Sequence, residues 1–432
     1  MVEDKKNGKE QTEEISFTVD DVLDTVASGK TRDGGETGGA GETGGAGETG
    51  GADETEILHA GDGAAVKEKK TDTLMKMFIP RKTDSTSELA RKFTFIVSLF
   101  VALICCIVII ADAGHSNASE RLNDELREIK KRGDILGLNV ADDVTDDNGG
   151  VNTEILPKFL ELYERNDDLV GWVKLGDTVI DYPVVQTTDN EYWLYRNFDG
   201  KSDKSGTVFV DWHTPIVPER RPDNTVLYGH NLANGTFFAY AVRYYATNFG
   251  MDAYTKNPTI SFETIYGTER STYKIFAGMF TNTEEEYGDV FNYWRARRFI
   301  DGDIYEGKSA SAEENFYYFI SEVMDRSSFY ADVDIKYGDE FLTLSTCYYP
   351  LGNDKNTRFV LFARRVREGE NENVNVDIAF KNPKPKHFDY YYRAYGAVPW
   401  TEEDRVWDIS LVEGMEEFLA THSPSDNPWI IG

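Results

Sequence analysis

Cysteine is scarce in this 432-residue chain: Cys105, Cys106 and Cys347 are the only three. The first two lie inside an apolar run, so everything after that run carries one thiol and no disulfide framework. Basic residues are few beside acidic ones, 46 Lys+Arg against 76 Asp+Glu, for a net charge of −30. So acidic a chain repels a phosphate backbone, and it has no concentrated basic patch, which excludes general nucleic-acid binding. Aromatics avoid the first 90 residues, where Phe17 and Phe78 stand alone, yet make up 13% of the whole. That unevenness describes a disordered arm followed by a folded body. Histidine clusters, cysteine pairs at metal spacing and a glycine-rich phosphate loop before a helix are all missing, so the sequence calls for no metal and no cofactor.

Residues 1–92 read as the flexible arm. A six-residue Gly-Glu-Thr-Gly-Gly-Ala repeat holds Glu36, Glu42, Glu48 and Glu54 in register. Glycine at that density has a large ordering entropy and no apolar side chain to offset it, and the period is not the three of collagen. Upstream, Phe17, Val19, Val22, Leu23 and Val26 could form a short amphipathic turn, read as transient helix, with a docking peptide as the alternative. Residues 93–111, FTFIVSLFVALICCIVIIA, are 19 in a row without a charge, long enough to cross a bilayer. The run is too long and too far from residue 1 for a cleaved signal peptide, so it reads as an uncleaved anchor. Arg81, Lys82, Arg91 and Lys92 precede it, whereas Asp112, Glu120 and one arginine, Arg121, follow. The positive-inside rule then places the arm in the cytoplasm and the folded body outside the cell membrane.

A charged helical stalk at 116–132 and an acidic spacer lead to about residue 150. Ile155, Phe159, Leu162 and Tyr163 keep helical spacing, with Pro157 tolerated in the first turn. Strand signals dominate thereafter, at Thr178–Val185, Thr207–Asp211, Thr225–Tyr228, Tyr273–Phe280, Phe341–Thr346 and Phe359–Val366. Ser311 with Glu314 is a capping box that opens a helix through Phe316, Phe319, Ile320 and Val323. Many short strands with few helices make the body mainly β, a barrel or a sandwich. Residues 367–432 hold six basic and 13 acidic residues and an aromatic cluster at Tyr390, Tyr391, Tyr392, Tyr395 and Trp400. They read as a small appendage packed on the body, with a partner-binding surface as the alternative.

The lone exported thiol is the most informative residue. Cys347 ends the apolar strand FLTLST before a polar loop, a position that suits a nucleophile better than a buried hydrophobe. A thiolate needs a nearby cation and an acid for the leaving group. Of six histidines, only His213 and His230 fall in the body, and His230, at the end of the strand TVLYG, has the same strand-end placement as Cys347. Arg358 opens the next strand, 11 residues after Cys347, where a hairpin would bring its guanidinium alongside.

These residues resemble the class B sortases. GWVKLGDTVIDYPVVQ at 171–186 is similar to the family's opening strands. NEYWLYRNF at 190–198 and SGTVFVDW at 205–212 follow in its order. TVLYGHNLANGTFF at 225–238 resembles the histidine segment, TLSTC at 343–347 the cysteine signature, and RFVLFARRV at 358–366 the arginine strand. The resemblance covers about residues 154–367. It implies a closed β-barrel of about eight strands with peripheral helices, one of them inserted before the cysteine strand. It also implies a cysteine transpeptidase of a Gram-positive bacterium. Cys347 would cleave the C-terminal sorting signal of a secreted protein at a Thr–Gly bond or its equivalent, forming a thioester. His230 would serve as acid and base, and Arg358 would hold the carbonyl or the oxyanion. The acceptor would be the amine of a peptidoglycan precursor or of a pilin lysine. Asn190, Leu194, Thr283, Tyr287 and Ser345 match the substrate-groove positions. The domain order is then arm 1–92, anchor 93–111, stalk and spacer 112–150, catalytic domain 151–367 and C-terminal extension 368–432. Two rivals remain: a thiol peptidase that only hydrolyses, and a non-catalytic surface module. The arm is longer than the family's, and the extension runs past the usual end of the barrel, where it could cover the groove or one barrel edge.

Overall fold

The computed structural model describes residues 77–135, 155–218, 221–242, 251–267, 271–296, 299, 311–352 and 356–431. Most of the arm, its repeat, the docking-peptide segment and the spacer lie outside the described residues. The chain divides into two compact units, Met1–Ile110 and Ala111–Gly432.

In the first unit the apolar run is helical, as part of α1 (Thr86–Ile135), the one described helix long and apolar enough to span a membrane. Its side chains from Phe93 to Ile110 are exposed, and Lys92 at the basic flank pairs with Asp84 at 2.8 Å.

In the second unit α1 continues over the residues expected as a stalk. Leu126 and Ile129, three residues apart and so on one helical face, are buried with Phe159, Leu162, Trp172 and Phe209. After a 3₁₀ turn at Pro157–Phe159 and α2 (Leu160–Arg165), the chain builds β1 (Leu169–Lys174), β2 (Asp181–Val185), β3 (Val208–Val210) and β4 (Asn224–Tyr228). Short helices α3 (Ala239–Val242) and α4 (Asp252–Lys256) precede β5 (Thr259–Thr264) and the long β6 (Thr272–Asn282). Next come β7 (Val290–Phe291), α5 (Ala312–Arg326) and β8 (Phe329–Asp332). Then follow β9 (Phe341–Cys347), β10 (Thr357–Arg365) and β11 (Asn375–Lys381). Helices α6 (Asp389–Tyr395) and α7 (Met415–Thr421) and strand β12 (Ile430–Ile431) complete the chain.

Eight strands close into a barrel in the order β1-β2-β3-β4-β9-β10-β6-β5. The pairs β2/β3 and β4/β9 are parallel and the others antiparallel. A mainly β closed barrel with peripheral helices is therefore the fold. The capping box forms as expected: Glu314 N–H donates to Ser311 Oγ at 3.2 Å, and Ser311 N–H to Glu314 Oε2 at 2.6 Å. That fixes the start of α5, the helix inserted before the cysteine strand. The strand expected from Thr178 begins at Asp181, because Thr178 N–H turns back to Leu175 O and shapes the β1–β2 hairpin loop. The β10 strand starts two residues earlier than expected, where Thr357 pairs with Asn282. From the barrel strands Tyr182, Phe262, Phe276, Phe341 and Phe362 belong to one buried cluster, to which α5 contributes Phe316, Phe319 and Val323; Phe341 and Phe362 meet α5 directly, through Phe316 and Phe319. Gly171 lets β1 and β5 close tightly, since a Cβ there would fall 2.4 Å from Glu263 O.

Candidate active site

Cys347 is the last residue of β9 and Arg358 the second of β10, and the two are register partners across this antiparallel pair. Directly opposed residues project to the same face of a sheet, so thiol and guanidinium share one side of the barrel rim. Both are partly exposed. Arg358 Nη1 donates to Asn356 Oδ1 and to Thr357 O at 3.1 Å. Asn356 O in turn accepts from the Thr283 backbone N–H at 3.2 Å and hydroxyl at 2.7 Å. The guanidinium is thereby tied to the residue before β10 and, through it, to the residue after β6.

His230 reaches the same rim from the other neighbour of β9. In the parallel β4/β9 pair Tyr228 lies beside Ser345, and Gly229 N–H donates to Ser345 O at 3.3 Å. Two residues further along each chain stand His230 and Cys347, with Asn231 Nδ2 donating to Cys347 O at 3.0 Å. His230 Nε2 is 2.9 Å from Leu194 O. A carbonyl only accepts, so Nε2 carries a proton and, in the neutral ring, Nδ1 is the basic nitrogen. Leu194 belongs to a 3₁₀ turn, Tyr192–Tyr195, started by Asp189 Oδ1 accepting from Glu191 and Tyr192 N–H at 2.8 and 2.7 Å.

Beneath the rim lies a buried polar chain. Ser345, 1% exposed, bonds the Tyr293 hydroxyl at 2.7 Å. Burial pushes the Tyr293 phenol up to about 12, with the Ser345 hydrogen bond and the Arg358 charge opposing it. Burial likewise holds Tyr228 well above the usual phenol range, and the nearby Tyr293 and Asp211 add to it against Arg358. Tyr228 donates to Asp211 Oδ2 at 3.0 Å, which also accepts from Asn190 Nδ2 at 3.0 Å. Asp211 Oδ1 accepts from His213 N–H and meets His213 Nδ1, both at 2.9 Å. His213 thus serves the Asp211 hub, not the thiol. On the exposed side, burial and then contact with the Cys347 side chain push the Tyr349 phenol up to about 12.

Five further residues were expected to line a groove, and each has a definite place. Asn190 is locked between Asp211 and the Trp212 N–H, 3.0 Å from its Oδ1. Leu194 holds His230, Thr283 holds Asn356, and Ser345 lies under the surface. Tyr287, 7% exposed, packs edge-on against Tyr390 of the C-terminal extension at 5.4 Å between ring centroids. Tyr293, Asp211 and Tyr349 were missed from sequence. A carboxylate closing the apolar run VFV was the visible signal for Asp211. Tyr293 had none, because its partner Ser345 is 52 residues away.

A closed barrel that carries one thiol beside an arginine, with a histidine at the same level, is the frame of a cysteine acyl-transfer enzyme. No protein-family model matches the chain. Over 197 residues it is 30% identical to sortase B of Listeria monocytogenes, an alignment that spans 46% of this chain and 70% of that protein. Over 193 residues it is 28% identical to sortase B of Staphylococcus aureus, spanning 45% and 68%. Among solved structures it is similar to the Staphylococcus aureus sortase B–substrate complex, at 24% identity and a TM-score of 0.45, covering 59% of this chain and 99% of that one. Clostridium perfringens sortase B matches at 28% identity with a TM-score of 0.38, covering 48% and 98%. The chain belongs to the class B sortases, and with that family to the cysteine transpeptidases.

Proposed function

We propose that Cys347 is the nucleophile, His230 the acid–base group and Arg358 the oxyanion donor of a membrane-anchored transpeptidase. One observation carries the reading: Cys347 is the register partner of Arg358 on one side, and on the other β4 and β9 run in register to Tyr228 and Ser345, two residues before His230 and Cys347. The Cys347 thiolate attacks the carbonyl carbon of a peptide bond in the C-terminal sorting signal of a secreted protein, a Thr–Gly bond or its equivalent. The guanidinium meets the negative charge that develops on the oxygen. The C–N bond breaks as His230 gives its proton to the departing amine, leaving a thioester on Cys347. An incoming amine, from a peptidoglycan precursor or a pilin lysine, loses a proton to His230 and attacks. The C–S bond then breaks and the thiolate returns.

Asn190, Leu194, Thr283, Tyr287 and Ser345 form or support the peptide groove in this reading. Leu194 joins groove to chemistry, because its carbonyl orients the imidazole. Segment 93–111 anchors the protein in the cell membrane of a Gram-positive bacterium, with the arm 1–92 in the cytoplasm. The spacer 112–150, the catalytic domain 151–367 and the extension 368–432 are then extracellular. The lysines and arginines flanking the amino side of the apolar run support that orientation.

Mixing purified protein with a sorting peptide and an amine acceptor tests the reading. Amine-dependent ligated product is expected; hydrolysis alone, whatever the acceptor concentration, identifies a plain peptidase instead.

A further inference from the structure

The residues past the barrel fold back onto the catalytic rim. β11 pairs with β8, and β12 with β7, where Ile430 lies opposite Phe291. Arg405 binds Asp325 through Nε and Nη2 at 2.9 and 2.8 Å, and Trp407 Nε1 donates to the same carboxylate at 2.7 Å. Between these anchors in the chain lies α6, whose own contacts reach two loops beside the site. Phe388, just before α6, packs on Phe280 at 5.4 Å, and Phe280 packs on Tyr348, the residue after the thiol, at 5.6 Å. The Tyr395 hydroxyl donates to Pro350 O at 3.2 Å. On the other side, Gly288 follows the 3₁₀ turn Glu285–Tyr287 with φ +115°, and a Cβ there would fall 2.8 Å from Asp389 N. Glycine is what lets the start of α6 sit on that turn.

The turn follows β6 after Thr283 and Glu284, and Thr281 of β6 is the register partner of Arg358. Between the turn and α6 lies a shallow, solvent-open cavity of about 550 Å³ lined by Glu286, Tyr287, Tyr390, Arg393 and Ala394. Arg393 is exposed, with its guanidinium 5.8 Å from the centroid of the Tyr390 ring. Among the described residues no carboxylate lies within ion-pair reach of it. Its neighbours in the extension differ: Lys384 pairs with Asp404, Lys386 with Glu322 and Arg405 with Asp325. An unpaired fork held on an aromatic face suits a carboxylate. Glu286, across the cavity, repels a free anion but can accept N–H groups of a peptide backbone.

We propose that α6 is a wall of the peptide cleft and that this cavity is a subsite for a carboxylate-bearing residue of a bound peptide. The proposal rests on the transpeptidase reading above and adds to it a specificity element supplied by the extension. The peptide is either the donor sorting signal or the amine acceptor, and two sets of probes separate them. One is a positional scan of nonapeptides around a central Thr–Gly, with Glu or Gln at each flanking position. The other is a series of short glycine peptides with Glu or Gln after the amino-terminal glycine. Binding is measured to the full chain carrying Cys347→Ala, with and without Arg393→Ala. At one position of one set Glu should bind about tenfold tighter than Gln, and Arg393→Ala should abolish that difference while leaving the Gln peptides unchanged. Absence of a Glu preference in both sets, whether all peptides bind alike or none binds, overturns the proposal. So does a preference that survives Arg393→Ala. The transpeptidase reading fails separately, by the absence of any acyl adduct on Cys347 in the wild-type protein.

Discussion

Arg358 stands directly across the β9/β10 ladder from Cys347, with its guanidinium tied to Asn356 and, through that residue, to Thr283, just past the end of β6. Two bonds from one Nη leave the rest of the fork to face the reacting carbonyl. Lysine would keep the charge and lose the geometry. Arg358→Lys should lower kcat about 100-fold, with KM changed far less, as removal of one oxyanion donor does. Steady-state kinetics check this; a rate within threefold of wild type removes Arg358 from the chemistry.

The Ser345–Tyr293 bond predicts a coupled pair. Both groups are buried, and each hydroxyl left alone has a desolvation penalty. Ser345→Ala and Tyr293→Phe should each destabilise the fold by about 1–3 kcal/mol. The double variant should cost clearly less than the sum, because no orphaned hydroxyl remains. Urea unfolding of the four proteins measures the difference; strict additivity would mean that the two hydroxyls do not interact.

His387 gives the fold an acid limit. Burial, and then the nearby Arg326, lower its imidazole to about 3. The unfolded ring takes up its proton near 6.5, so below that pH the unfolded state binds more protons and stability falls, by about 1.4 kcal/mol per pH unit at most. Glu322 acts in the same direction in a lower window. Burial alone would raise it, but Lys386 and Arg326 outweigh that and bring it to about 2, so its contribution is lost only as pH drops below about 4.5. His387→Gln should therefore flatten the stability profile between pH 6.5 and 4.5 and leave the drop below 4.5 in place. Thermal melts across that range decide it. An unchanged slope above pH 4.5 would show that His387 is not kept neutral by the fold.

Local chemistry made much of this legible beforehand. Cys347 and Arg358 are 11 residues apart at facing strand ends, so hairpin logic alone joins them. His230 could be picked out because it, too, ends an apolar strand. The Ser311–Glu314 capping box marks α5 by two short-range bonds. What stayed hidden depends on contacts between distant segments. Asp211 draws in Asn190 and Tyr228, 21 and 17 residues away, and no periodicity reports such a hub. The aromatic run at Tyr390–Tyr392 said that the extension packs on the body, over the groove or one barrel edge, but not at which residues. Its seat at Tyr287 and Pro350 follows from Phe280 and Gly288, which sequence patterning does not link to it.

Mass spectrometry of the protein quenched in acid after mixing with a sorting peptide would look for the acyl group itself. A covalent adduct confined to the tryptic peptide that contains Cys347, released by hydroxylamine or an acceptor amine, is the expected result. Cys347→Ala should abolish it with an unchanged melting temperature. Amine-dependent product without that adduct, or turnover that survives Cys347→Ala, would contradict the account.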